Sequence, residues 1–134
     1  MPRSSPSADQ GLIQREGTRY VLVVDDVLAQ RKVISRVLRK VGYEVICVSS
    51  ALAATTFLWE CGQARLLITD QRMRGLDGLE LLSYCAHEFP GMPRILYTAY
   101  FDGEVAMATH LHHVIDKLHP ERLLPKVREL IGDP

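Results

Sequence analysis

Five polar residues close otherwise apolar runs of this chain, and their types suit phosphate chemistry. Asp25 and Asp26 follow Tyr20-Val21-Leu22-Val23-Val24, Asp70 follows Leu66-Leu67-Ile68-Thr69, Thr98 closes Arg94-Ile95-Leu96-Tyr97, and Lys117 follows His113-Val114-Ile115-Asp116. Taken singly, each is a turn former, a helix cap or a surface charge. Taken together, they set three carboxylates, a hydroxyl and an ammonium at the ends of four apolar segments. Two like charges about 4 Å apart repel by roughly 4 kcal/mol at an effective dielectric near 20. Three acids gathered in space therefore need a counter-ion or must protonate. A hard divalent cation meets that need, and Mg²⁺ characteristically takes one or two carboxylates, waters and a substrate phosphate. In such a site Asp70 is the candidate nucleophile towards phosphorus, forming an acyl phosphate. The cation and Lys117 neutralise the transferring oxygens, and Thr98 hydrogen-bonds to one of them. No glycine-rich phosphate loop of the Walker type is present, which argues against a nucleotide donor, and no spacing supports Ser-His-Asp or zinc hydrolysis.

The elements that must position these residues alternate regularly. Solid apolar runs at Tyr20–Val24, Val45–Val48, Leu66–Thr69, Arg94–Thr98 and His113–Ile115 read as strands covered on both faces. Between them the period changes to 3.6. Val27, Ile34, Val37, Leu38 and Val41 form one helical stripe that Gly42 ends. Arg31, Lys32, Arg36, Arg39 and Lys40 lie opposite it, as a solvated face or a docking surface for an acidic partner. Ser49-Ser50 caps a helix to about Glu60, in which Phe57-Leu58-Trp59 cannot all point inward. Asp77 caps a third helix carrying Leu79, Leu82 and Ala86 inward until Phe89-Pro90-Gly91. Asp102 caps a short fourth over Gly103 to Thr109, and Pro120 opens a fifth with Leu123, Leu124, Val127, Leu130 and Ile131 on its core side. Pro125 inside that helix should bend or delay it. Five strands alternating with five helices predict an α/β domain with a parallel sheet and right-handed crossovers. Ligands of such sheets bind beyond the carboxyl ends of the strands, where all five polar residues fall.

Composition bounds the rest. The chain has 134 residues, 47% hydrophobic and 24% charged, with 16 basic against 16 acidic side chains. That fits one domain, residues 19–131, after a leader of residues 1–18 too polar to order and before a short end at 132–134. A formal net charge of zero provides no global field towards nucleic acid or an anionic membrane. The three cysteines, Cys47, Cys61 and Cys85, lack C-x-x-C pairing and suggest reduced thiols in a cytoplasm. His110, His112 and His113 lack a neighbouring carboxylate or cysteine and read as exposed polar residues rather than a metal site.

The set Asp25-Asp26, Asp70 within Leu67-Ile68-Thr69-Asp70-Gln71-Arg72-Met73, Gly78 eight residues on, Thr98-Ala99 and Lys117 resembles the receiver (REC) domains of bacterial two-component response regulators, over residues 19 to 131. The resemblance implies a flavodoxin-like (CheY-like) doubly wound sheet of five parallel strands in the order 2-1-3-4-5, with helices on both faces. It implies phosphorylation of Asp70 by the phosphohistidine of a sensor histidine kinase or histidine phosphotransfer protein. Mg²⁺ would be held by Asp26, Asp70 and the main-chain carbonyl of Arg72, with Asp25 holding the ion through water. Such a chain signals by changing partner affinity and is not a conventional turnover enzyme. No DNA-binding element follows Ile131, so output is expected from a partner or a region outside this sequence, with no direct nucleic-acid binding and no membrane insertion.

Several positions depart from the pattern. Arg74 stands where the motif has Pro, Leu118 where Pro follows the lysine, and Val114 where an aromatic residue is usual. A valine cannot swing a ring into space vacated by a moving Thr98, and the short segment between Thr98 and Lys117 implies an abbreviated fourth helix. An alternative is therefore a receiver-fold scaffold that works without phosphorylation. A phosphatase working through an aspartyl intermediate is disfavoured because Arg72 replaces the acid such enzymes use as proton donor.

Overall fold

A computed structural model describes residues 19–134, so the expected leader lies outside the described residues. Five parallel strands, β1 (Tyr20–Val24), β2 (Glu44–Val48), β3 (Leu66–Thr69), β4 (Arg94–Thr98) and β5 (His113–Asp116), form one sheet in the order β2-β1-β3-β4-β5. Helices α1 (Leu28–Lys40), α2 (Ala51–Cys61), α3 (Gly78–Glu88), α4 (Gly103–Ala108) and α5 (Leu123–Ile131) connect the strands and close the chain. This is the doubly wound, flavodoxin-like arrangement that the alternating pattern and the resemblance implied.

Side chains alternate across each strand, and two cores result. Val21, Val23, Leu66, Ile68, Ile95 and Tyr97 face α1 and α5, packing with Ile34, Leu38, Leu123 and Val127. Leu22, Val24, Leu67 and Leu96 face the other way, against Ala54, Leu58, Leu81, Leu82, Cys85 and Val105. Burying each of these leucines contributes about 1.5–3 kcal/mol. Because both faces are covered, the three central strands are apolar at consecutive positions rather than alternately.

The helices correct several sequence expectations. On α1 the core face is Ile34, Ser35 and Leu38, while Val27 and Val37 are exposed, so the helix is rolled relative to the expected stripe. Arg31 and Arg39 each donate to a backbone carbonyl, of Asp25 and Val45, which subtracts them from the free basic face. On α3 the buried positions are Leu81, Leu82 and Cys85 rather than Ala86. Leu58 is the buried member of the Phe57-Leu58-Trp59 trio, and Trp59 lies at the rim with its indole N–H donating to Tyr84. A 3₁₀ turn at Pro120–Arg122 precedes α5, so Pro125 falls in the first helical turn, where its missing N–H leaves no hydrogen bond unmade.

Candidate functional site

Hydrogen bonds that run past the strand ends set the site. The Asp25 N–H donates to the Val48 carbonyl at 3.2 Å, the Asp70 N–H to Val24 at 3.0 Å, and the Lys117 N–H to Thr98 at 2.9 Å. Each polar residue is thereby fixed one step beyond a strand, on the same edge of the sheet.

Three of the predicted residues meet directly. Lys117 Nζ donates to Asp25 Oδ2 at 2.8 Å and to Asp70 Oδ2 at 2.9 Å, bridging two carboxylates that come from β1 and β3. Asp25 is almost wholly buried, and its second oxygen accepts the Val27 N–H at 2.9 Å. Burial pushes the Asp25 carboxyl above its usual range, against the pull of the Lys117 hydrogen bond and charge. The Lys117 ammonium is pulled down by burial, but its bonds to Asp25 and Asp70 and the charges of both acids outweigh that and hold it above its usual value. The ring of Tyr97 lies beneath it, 5.7 Å from Nζ to the centroid.

The remaining predicted residues stand around this trio. Thr98 is buried at the end of β4; its hydroxyl oxygen accepts the Tyr100 N–H at 3.1 Å, and no hydrogen bond joins it to Asp70 among the described residues. Asp26 turns the other way: its Oδ2 accepts the Arg74 N–H at 3.2 Å and lies 3.8 Å from Arg74 Nε. Arg72 is exposed, with its guanidinium carbon 3.5 Å above the ring of Tyr100 at the rim. Among the described residues, no three acidic, histidine or cysteine side chains gather closely enough to hold an ion in this arrangement. The donor set nevertheless suits a hard cation. All three acids supply carboxylate oxygens, Lys117 already bridges two of them as a cation, and three negative charges against Lys117 and Arg74 leave one uncompensated.

Gly78 and Gln71 hold Asp70 from below. A Cβ on Gly78 would lie 2.0 Å from the Asp70 carbonyl oxygen and 2.8 Å from Leu96 Cδ1, so the start of α3 can approach the strand only without a side chain. Gln71, which drew no notice in the sequence, is buried and binds the loop at three points. Its side-chain oxygen accepts the Leu79 N–H at 2.8 Å, its amide donates to Asp77 at 3.2 Å, and its carbonyl accepts the Gly78 N–H at 2.9 Å. Asp77 caps α3 in a reciprocal box with Glu80. A glutamine beside a motif acid, followed by a cap six residues on, was the only available sign of this brace.

The arrangement has parallels among known proteins. Residues 21–128 match the family model of the response regulator receiver domain. The chain is 31% identical over 116 residues to the hydrogenase transcriptional regulatory protein HoxA of Cupriavidus necator, covering 83% of this chain and 24% of that one. It is 28% identical to the chemotaxis protein CheY homolog of Campylobacter jejuni, covering 84% of this chain and 92% of that protein. The chain thus spans about a quarter of the length of the HoxA protein and 17% of the response regulator FleR of Pseudomonas aeruginosa. Among solved structures, the response regulator TrrA of Thermotoga maritima, in complex with Mg²⁺-BeF, superposes with a TM-score of 0.73 at 26% identity, covering 84% of this chain and 99% of that one. A CheY-like receiver domain of Methanospirillum hungatei superposes with a TM-score of 0.74 at 28% identity, covering 84% and 92%.

Proposed function

This chain belongs to the receiver-domain family of two-component response regulators, and from that premise we propose that it is a phosphoacceptor signalling module whose acceptor is Asp70. The observation that carries the reading is the bridge from Lys117 to both Asp25 and Asp70. It joins residues 92 and 47 positions apart and places an ammonium beside the carboxylate oxygen that would attack phosphorus.

In the proposed reaction an Asp70 oxygen forms a bond to phosphorus as the N–P bond of a donor phosphohistidine breaks, leaving a neutral imidazole once a proton is supplied. Lys117 balances negative charge on the transferring oxygens, and Thr98, whose hydroxyl proton is not committed to the Tyr100 N–H, donates to one of them. Mg²⁺, bound through Asp25, Asp26, Asp70 and the Arg72 carbonyl, would supply charge neutralisation of the phosphoryl oxygens. Arg74 engages only one Asp26 oxygen, Oδ2. The donor is a sensor histidine kinase or histidine phosphotransfer protein, and the acceptor state changes affinity for a partner or output region in a cytoplasmic setting. Each tenfold change in that affinity needs about 1.4 kcal/mol of differential interaction between the two states.

Incubation with Mg²⁺ and acetyl phosphate, followed by intact mass, tests the reading. A single adduct of about 80 Da that is acid-labile and absent from Asp70→Asn is expected for one phosphoryl group. The absence of any adduct under saturating donor would leave the receiver-fold scaffold that works without phosphorylation as the better account.

A further inference from the structure

We propose that the outward face of α2 is a self-association surface, on which a second copy of this chain docks antiparallel through Leu52 and Trp59. The two side chains are 74% and 58% exposed. They stand two helical turns apart, so they share one face of the helix. A surface helix ordinarily sets a charged face against its apolar stripe. α2 does not: Ala51, Ala54 and Leu58 are buried on the inside, Leu52, Thr56 and Trp59 lie outside, and Glu60 is the one charged residue of the helix.

Covering this face strands none of its polar side-chain groups. The hydroxyls of Thr55 and Thr56 both donate to the Leu52 carbonyl at 2.9 Å, and the Trp59 indole N–H donates to the Tyr84 hydroxyl. Each donor is satisfied within its own protomer, so removing water from it costs little. The indole also packs against Phe89, with ring centroids 5.4 Å apart. It is therefore ordered before any partner arrives, which lowers the entropic cost of docking. A fixed tryptophan at the centre of a contact is a common binding anchor.

The face is complementary to itself. With a two-fold axis beside Thr55 and Thr56, Leu52 of each copy meets the partner's Trp59, and the small threonines let the two helices approach. Charge favours the antiparallel direction. Glu60 sits in the last turn of α2, where the helix dipole disfavours an acid and no basic residue offsets it, while the first turn holds no acid. Antiparallel pairing brings each Glu60 to the first turn of the other α2, where the dipole favours it. The chain has no net charge, so two copies do not repel one another. A strongly charged partner would find little on this face to pair with. None of these residues takes part in the proposed phosphoryl chemistry.

One helix pair is a small contact, and interfaces under about 1,200 Å² are weak, so a dissociation constant of about 10–100 µM is expected. Sedimentation velocity of the full chain over a concentration series spanning that range, without Mg²⁺ or phosphodonor, tests it. Emission from Trp59, the one tryptophan of the chain, is read alongside. A monomer-to-dimer shift with rising concentration, accompanied by a blue shift of the emission, is expected. Leu52→Glu places an acid in the first turn of its own helix, which the fold tolerates, but beside the partner's Glu60, and should weaken the dimer by about tenfold or more. Glu60→Lys alone should weaken it by roughly threefold. The double variant Leu52→Glu/Glu60→Lys pairs opposite charges between the copies and should recover most of the affinity lost in Leu52→Glu, which a parallel arrangement would not do. A monomer at every concentration would overturn the proposal, whether Trp59 stays open to quencher or is shielded by another part of the chain. A dimer that Leu52→Glu leaves intact, or that the double variant fails to recover, would overturn it too.

Discussion

At the carboxyl ends of the strands two carboxylates share one buried ammonium and a third lies against Arg74, whereas at the amino ends the guanidinium of Arg94 and the imidazoles of His112 and His113 line a cavity with no carboxylate paired to the guanidinium among the described residues. A parallel sheet makes this separation natural. Every loop leaving a strand opens on one edge and every loop entering opens on the other, so residues at equivalent strand positions collect together whatever their distance in sequence. The acidic edge is short of positive charge and the basic edge is short of negative charge. The difference teaches that strand direction, rather than distance in sequence, decides which side chains meet at each edge.

Removing the ammonium should break the comparison most. In Lys117→Met, Asp25 and Asp70 would be left beside each other with Asp25 buried, and breaking a buried charge set by deleting one partner is strongly destabilising. We expect a loss of about 2–3 kcal/mol, allowing for the partial exposure of Asp70, read as a lowered urea midpoint at pH 7 without Mg²⁺. Mg²⁺ should restore part of it. A variant as stable as the parent would mean that the acidic end is not held together by charge.

Next in size is the rim. Arg72 is stacked on Tyr100, an exposed cation–π contact of a kind worth about 0.5–1 kcal/mol, and this stack is expected to screen the approach to Asp70. Arg72→Ala and Tyr100→Ala should each speed loss of the acyl phosphate by roughly threefold to fivefold, measured by decay of the mass adduct. Equal decay in parent and both variants removes any role for the stack. Smaller again is the contact from Arg74 to Asp26, since the arginine side chain is 93% exposed and such pairs are weak. Arg74→Ala removes the guanidinium that competes for the Asp26 carboxylate while keeping the backbone N–H bond to it, and should tighten Mg²⁺ binding about twofold to threefold, measured by quenching or calorimetry. Unchanged affinity would show that Asp26 reorients without cost.

How far the chain could be read beforehand follows from which interactions are local. The strands declared themselves because Tyr20–Val24 and Leu66–Thr69 are buried on both faces, and the acids after them could only lie at one edge. Gly78 was legible as part of a motif, but its reason, the Asp70 carbonyl lying where a Cβ would stand, is a tertiary contact. The roll of α1 was not legible, because Val27 and Val37 fit an apolar stripe as well as Ser35 does not, and only packing against the sheet chooses between them. Gln71 was missed because a polar loop residue carries no sign that its amide will satisfy Leu79 and Asp77. Asp26 was expected to point with its neighbours, and its turn towards Arg74 depends on where a later loop falls. His112 was read as exposed because its half-burial depends on the shape of the turn beside Arg94.

That histidine supplies the smallest and most specific prediction about the basic end. Burial and the positive charges of Arg94 on β4 and His113 beside it on β5 lower its pKa in the folded state below the ordinary value of 6.5. As pH falls below 6.5 the unfolded chain therefore takes up a proton that the folded chain resists, and stability declines with it until the folded-state pKa is passed. Above 6.5 the group contributes no slope. For a half-exposed ring the effect is screened to a few tenths of a kcal/mol, so it is best read as the difference between parent and His112→Gln, from which the titrations of Asp25 and the other acids cancel. The variant's urea midpoint should fall less steeply between pH 6.5 and lower values than the parent's.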